Sequence, residues 1–282
     1  LPVTESQDKC EIIVAVNFAS IRDSSLLALS SHRLIDRVPI KISHCSLGFI
    51  TRADTMYVET DENGEEKMKY PNRVSYLLYG RYALFTDPST RVGGEKSTLS
   101  VPTYQALKGI TESIYWKPTI TWIIDRVRII NPIVTESKHI RPINFTDSGN
   151  TLSVYNYLKS PRYQVEAHFI FNEFRPEYEN DRNEDKHFKI AERMIERGGR
   201  RDIFLGTREC QGYVEPCRFG AGEGAYDKTG SINLGLMLHG FDYPDETGRD
   251  MLGVRFWRPT MTDGVIDFIK PSECDRRLCR DI

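Results

Sequence analysis

Cysteine is scarce: six occur among 282 residues, Cys10, Cys45, Cys210, Cys217, Cys274 and Cys279, and none forms a C-x-x-C pair. A disulfide scaffold is therefore excluded, and a reducing, cytoplasmic setting is expected. Uncharged apolar runs approaching the roughly 20 residues of a membrane span are also missing. Leu1 to Lys9 is polar, without the apolar stretch of a secretion signal, so no membrane partner is expected. A start at Leu rather than Met reads as a trimmed beginning. Charge of one sign is lacking too, with 38 Lys+Arg against 40 Asp+Glu and a net of −2. That excludes a basic surface spread over the whole chain, so a nucleic-acid partner must be held by a local patch. No repeat at a period of 20 to 50 residues is visible. What remains is an ordinary globular composition, long enough to bury a real core in one large domain or two modest ones.

Residues 1–67 carry more acidic than basic side chains, whereas the rest is close to balanced. The seam is placed at the polar run Asp61-Glu62-Asn63-Gly64-Glu65-Glu66, just before Met68. The leading segment is expected to be a small α+β extension of unknown role. Its strands would be Cys10–Ala19, Val38–Ser43, Leu47–Arg52 and Met56–Glu59, with a helix at Ser24–Ile35.

Periodicity is clearer after Met68. Val74–Phe85 predicts a strand ending at Thr86-Asp87-Pro88. Ser100 is the expected N-cap of a helix whose stripe is Tyr104, Leu107, Ile110 and Ile114, stopping before Lys117-Pro118. Thr119–Ile130 is β-branched, and Tyr163, Val165, Ala167, Phe169 and Phe171 alternate with polar residues, so both are strands. Asp181 to Lys186 opens a second helix with Phe188, Ala191, Met194 and Ile195 on one face and Gly198-Gly199 as its glycine stop. Asp202–Leu205 begins another strand. The order β-α-β-β-α-β is that of a ferredoxin-like (RRM-like) α+β fold, whose sheet leaves one face open. Domain limits are accordingly set at 68–210 for this unit and 211–282 for a small β-sheet subdomain, with strands at Leu234–Leu238, Gly253–Trp257 and Val265–Ile269.

The densest basic stretch runs from Arg182 to Arg208. Its middle is expected to be a solvated helix face stitched by i,i+4 pairs. At its N-terminal end, Lys186-His187 sits where free amides and the helix dipole favour a phosphate. At its C-terminal end, Gly199-Arg200-Arg201 places two forked cations beside a flexible turn, a plausible clamp for a nucleic-acid backbone. His187 alone reads equally as a surface or capping residue, and Tyr115 beside Trp116 as plain core or a base-stacking surface. Adjacent helices would bring Tyr115, Lys186 and His187 into one site. A tyrosine and a histidine can move protons while a lysine neutralises charge, the set that metal-free RNA cleavage by a 2′-hydroxyl needs.

Neither Cys210-x6-Cys217 nor Cys274-x4-Cys279 has metal-ligand spacing with nearby histidines, so no metal site is expected. Gly93-Gly94-Glu95-Lys96 lacks the G-x-x-x-x-G-K-[ST] pattern, and Gly220-Ala221-Gly222-Glu223-Gly224 lacks a strand and a helix around it. No cofactor is expected.

Several longer segments carry a family likeness. They are Tyr82-Ala83-Leu84-Phe85-Thr86-Asp87-Pro88, the run Ser100-Val101-Pro102-Thr103-Tyr104-Gln105-Ala106-Leu107-Lys108-Gly109-Ile110 with Ile114-Tyr115-Trp116-Lys117-Pro118, Gly198 to Gly206, Arg208 to Gly212 and His239 to Pro244. Through them, residues 68–282 resemble the Cas-five family of CRISPR-associated RAMP proteins, in its subtype I-C (Dvulg) branch. The resemblance implies a ferredoxin-like RAMP domain with a C-terminal β subdomain. It further implies a metal-independent endoribonuclease that cuts precursor CRISPR RNA at the base of the repeat hairpin and then stays on the 5′ handle of the guide RNA. Its other partners would be the backbone and large subunits of the type I-C interference (Cascade) complex. The family's catalytic tyrosine, lysine and histidine fall on Tyr115, Lys186 and His187. Arg182, Arg200, Arg201 and Trp116 are the candidate RNA-binding residues. The rival expectation is a non-catalytic subunit that caps the guide RNA. The resemblance gives no help with residues 1–67.

Overall fold

The computed structural model describes residues 57–60, 66–69, 72–91, 94–143, 149 and 151–278. The elements expected between Cys10 and Arg52 lie outside these residues. The chain divides into two compact units, residues 1–50 and 51–282, and all that follows concerns the second.

It opens with an antiparallel pair, β1 (Tyr57–Thr60) and β2 (Glu66–Lys69). The seam placed at 67/68 falls inside β2. The expected strand Val74–Phe85 is broken at Arg81 into β3 (Arg73–Gly80) and β4 (Tyr82–Ala83), and a short helix, α1 (Pro88–Arg91), follows. Helix α2 (Tyr104–Ile114) begins three residues later than the Ser100 cap predicts, because Thr103 is the N-cap and its side chain accepts from the Ala106 amide at 3.1 Å. Then come β5 (Ile120–Ile129), the hairpin of β6 (Thr135–Ile140) and β7 (Ser153–Lys159), and β8 (Arg162–Phe171). Asp181 does not open the second helix; it ends a 3-10 turn, Pro176–Asp181, and α3 (Glu184–Glu196) starts after the Asn183 cap. The α3 stop is as the glycines predict. Gly198 and Gly199 have φ of +87° and +109°, and their amides donate to Ile195 and Met194 carbonyls at 3.0 and 2.8 Å, closing the last turn.

After α3 the chain forms β9 (Ile203–Phe204), β10 (Gln211–Pro216), β11 (Ser231–Asn233) and β12 (Met237–Asp242), then a single-turn helix, α4 (Pro244–Thr247). It ends with β13 (Gly253–Trp257), β14 (Thr260–Thr262), β15 (Val265–Asp267) and β16 (Asp275–Leu278). The architecture is α+β with antiparallel sheets. The largest has the order β11-β14-β15-β5-β8-β3-β10-β9, and two three-stranded sheets, β4-β7-β6 and β12-β13-β16, stand beside it. Three strands from the region past residue 216 thus extend the main sheet, while β12, β13 and β16 form a sheet of their own. No described helix is long and apolar enough to cross a membrane.

Both helices cover one face of the main sheet. Tyr76 on β3 hydrogen-bonds Thr111 on α2 at 2.7 Å, and Phe169 on β8 packs edge-on to His187 on α3. Val74, Leu78, Trp122, Ile124, Val165 and Phe169 are buried there against Leu107, Ile114, Phe188 and Ala191. Each large side chain so removed from water contributes about 1.5–3 kcal/mol. The opposite face is not open as the sequence suggests. The glycine-rich segment after β10 lies across it: Gln164 donates to the Ala221 carbonyl at 2.7 Å, and Arg128 donates to the Gly222 carbonyl at 2.8 Å and to Asp227 at 2.7 Å. The Arg126 guanidinium stacks over Phe219.

Candidate active site

The end of α2 meets the beginning of α3. Tyr115 is the C-cap of α2, in extended backbone, and its amide donates to Thr111 O at 3.0 Å. The Trp122 indole donates to the Tyr115 carbonyl at 2.7 Å, fixing the residue from the β5 side. From that position the phenol reaches His187 Nδ1 at 2.7 Å. His187 lies in the first turn of α3, and its Nε2 is 2.8 Å from the Asp181 carbonyl oxygen. A carbonyl can only accept, so Nε2 carries hydrogen and Nδ1 of the neutral ring accepts from Tyr115.

Burial opposes charge on both partners. Desolvation pushes the Tyr115 phenol up to about 12, with the Asp181 carboxylate adding to the rise and the Arg200 cation opposing it. Desolvation also lowers the His187 pKa, against the upward pull of Asp181. The resting pair is thus a protonated phenol on a neutral imidazole.

Lys186 stands next in sequence and reaches the carboxylate of the same Asp181. Its side chain is about half exposed and its ammonium is paired with the Asp181 carboxylate. Thr119 also donates to that carboxylate at 2.7 Å, and the Lys186 and Thr119 contacts hold Asp181 below the usual carboxylate range. Asp181 therefore touches two of the expected trio, the Lys186 ammonium and the His187 ring, together with the Thr119 hydroxyl. Sequence reasoning missed it. The amide of Lys186, expected to be free for phosphate, is instead taken by the Asn183 cap at 2.9 Å.

The expected RNA-contacting residues fall in three places. Trp116 is exposed beside Tyr115. Arg182 is partly buried, donates to the Asn172 carbonyl at 3.0 Å and leaves its Nε buried without a partner among the described residues. Arg200 and Arg201 are exposed on the turn after α3. Their amides donate to the Ile114 and Ser113 carbonyls at 3.0 and 3.1 Å, so the turn is tied to the end of α2, one residue from Tyr115.

The sequence model of the family described as "CRISPR-associated protein (Cas_Cas5)" matches residues 74–269. A protein named CRISPR pre-crRNA endoribonuclease Cas5d from Mannheimia succiniciproducens is 26% identical over 226 residues, covering 70% of this chain and 94% of that protein. One of the same name from Thermus thermophilus is 26% identical over 197 residues, covering 66% of this chain and 80% of its own. Two solved structures are similar at higher identity. One is described as a CRISPR-associated protein, 38% identical with a TM-score of 0.62 over 73% of this chain and 95% of that one. The other is the functionally uncharacterized protein SMU1763c from Streptococcus mutans, 39% identical with a TM-score of 0.61 over 73% and 96%. The antiparallel α+β fold is thus that of a CRISPR-associated protein. The chain belongs to the Cas5 family, in its type I-C branch.

Proposed function

We propose that this chain is a metal-independent endoribonuclease that cleaves precursor CRISPR RNA at the base of the repeat hairpin and remains on the 5′ handle within the type I-C interference complex. The observation that carries the reading is the Tyr115–His187 hydrogen bond beside Lys186, in a chain whose relatives are named pre-crRNA endoribonucleases. We also take the domain to be ferredoxin-like: the central order β5-β8-β3-β10, all antiparallel, supports this, with β10 rather than β9 as its fourth strand.

In the proposed reaction the Tyr115 phenol swings off His187 Nδ1 toward the leaving oxygen, and that nitrogen, the one acceptor of the neutral ring, takes the proton of the 2′-hydroxyl upstream of the scissile phosphate. That oxygen attacks phosphorus, and Tyr115, which holds its proton, gives it to the departing 5′-oxygen. Two groups whose surroundings keep one deprotonated and the other protonated suit this division. Lys186 leaves Asp181 for the phosphate and stabilises the developing negative charge. The products are a 2′,3′-cyclic phosphate and a 5′-hydroxyl. No cofactor enters the scheme.

One observation favours the rival, a guide-RNA-binding subunit without catalysis. His187 has no exposed surface and Tyr115 almost none, so RNA reaches them only after the Asp181 turn moves aside. One assay decides: labelled repeat RNA is incubated in EDTA with the protein and with His187→Ala. Cutting by the first alone, abolished by a 2′-deoxy substitution at the cleavage site, supports the nuclease. Binding without cutting supports the rival.

A further inference from the structure

The turn after α3 and the start of β10 enclose a cleft of about 460 Å3, lined by Gly198 to Ile203 and by Gln211, Gly212 and Tyr213. That volume suits a small ligand. Its walls differ in chemistry. On one side Arg200 and Arg201 are exposed, and neither guanidinium has a hydrogen bond or ion pair to another described residue. On the other, Tyr213 is 50% exposed. Its ring is not loose: Tyr79 backs it at 5.6 Å between centroids with 32° between planes. Tyr79 in turn is fixed by donating to Glu215 at 2.5 Å, and the Arg162 guanidinium lies over its ring at 5.8 Å. An exposed aromatic ring braced from behind, facing unpaired forked cations across a cleft, matches an unpaired nucleotide: a flat base for the ring and a phosphate for the guanidinium groups. Asp202 also lines the cleft, so inorganic phosphate alone is a poor match, whereas a base amino group can donate to that carboxylate.

We propose that this cleft is a subsite for one unpaired nucleotide of the RNA, its base stacked on Tyr213 and its phosphate held by Arg200 and Arg201. The inference rests on the RNA reading above and adds a position the sequence did not point to. Continuity supports it: the Arg200 amide is bonded to the Ile114 carbonyl, so the cleft begins one residue from Tyr115. The nucleotide held there therefore flanks the scissile phosphate, outside the paired stem.

The test measures binding of two labelled repeat hairpins, uncleavable through a 2′-deoxy substitution, one with its single-stranded flank and one trimmed to the stem. Tyr213→Ala is expected to weaken the flanked RNA by about 5- to 160-fold, the range of one base–aromatic stack, and to leave the trimmed stem unchanged. Tyr213→Trp, which keeps a stacking face, is expected to retain the preference. A 2-aminopurine placed along the flank is expected to be quenched at one position by the unmutated protein and by Tyr213→Trp, but not by Tyr213→Ala. Equal affinity of Tyr213→Ala and the unmutated protein for flanked RNA, with quenching unchanged, overturns the subsite. RNA that is bound but never cut removes the nuclease reading while these binding arms still decide the subsite. Failure to bind either RNA overturns both.

Discussion

Tyr115 and His187 share a single hydrogen across 2.7 Å, between the last residue of one helix and the first turn of another. Because the other ring nitrogen is already donating to the Asp181 carbonyl, that hydrogen comes from the phenol. Tyr115→Phe removes it while keeping the buried ring. Single-turnover cleavage of labelled repeat RNA in EDTA is expected to fall about 10²- to 10⁴-fold. Affinity for a 2′-deoxy substrate should stay within about twofold. Full activity in the Phe variant would leave Tyr115 as a packing residue and send the search for a proton donor to Lys186.

Acid should loosen the fold through a different histidine. His239 is fully buried, stacks on Tyr104 with centroids 4.1 Å apart, and has its pKa lowered to about 4 by desolvation and by the Arg255 cation. Between that value and the unfolded value near 6.5 the unfolded chain binds the extra proton. The contribution is therefore complete above about pH 6.5 and is lost as pH falls toward 4, amounting to about 3 kcal/mol at most. Urea midpoints measured from pH 7 to 4 should decline, and less steeply for His239→Gln. Parallel declines would show that other groups dominate.

Two hydroxyls three residues apart make a matched pair. Thr103→Ala removes the N-cap of α2 and is expected to cost about 1 kcal/mol. Ser100→Ala, at the cap position the sequence suggested, should change stability by less than about 0.5 kcal/mol. Thermal unfolding of the two variants measures both, and the reverse ranking would contradict the observed start of α2.

Gly206 is where the chain tolerates no side chain. Its φ is +95°, and a β-carbon would sit 2.0 Å from the Leu84 carbonyl oxygen, where the Leu84 amide is already bonded to the Leu205 carbonyl at 2.9 Å. Gly206→Ala is expected to cost roughly 3 kcal/mol or more, through both strain and clash. Soluble yield and melting temperature report it. Gly220→Ala is the comparison, since its φ is also positive but no described residue lies within 4 Å of the added carbon.

Local pattern carried much of this fold. The stripes of α2 and α3, the alternation in β8 and the glycine stop at Gly198-Gly199 are set by neighbours in sequence, and each stands close to where the pattern puts it. The fourth central strand was not legible. Gln211–Pro216 holds a glycine and a proline in six residues, and its pairing with β3 on one side and β9 on the other makes it a strand. The site was legible as residue types and not as wiring. Tyr115, Lys186 and His187 stand out by chemistry. Asp181 looks like one more acid in a charged stretch until Thr119, 62 residues away, is folded against it.

The segment laid over the far side of the main sheet is gripped at its middle through the main chain: Gln164 and Arg128 hold the carbonyls of Ala221 and Gly222, while Asp227 and Phe219 are held on either side by their side chains. A strap fastened this way places little demand on the side chains of Ala221 and Glu223, while Gly222, with φ of +80°, stays glycine and the two sheet residues carry the hold. Substitutions can therefore accumulate along the strap's outer surface without loosening it. A stretch with no legible motif thus becomes a fastened cover whose hold depends on sheet residues far from it in sequence.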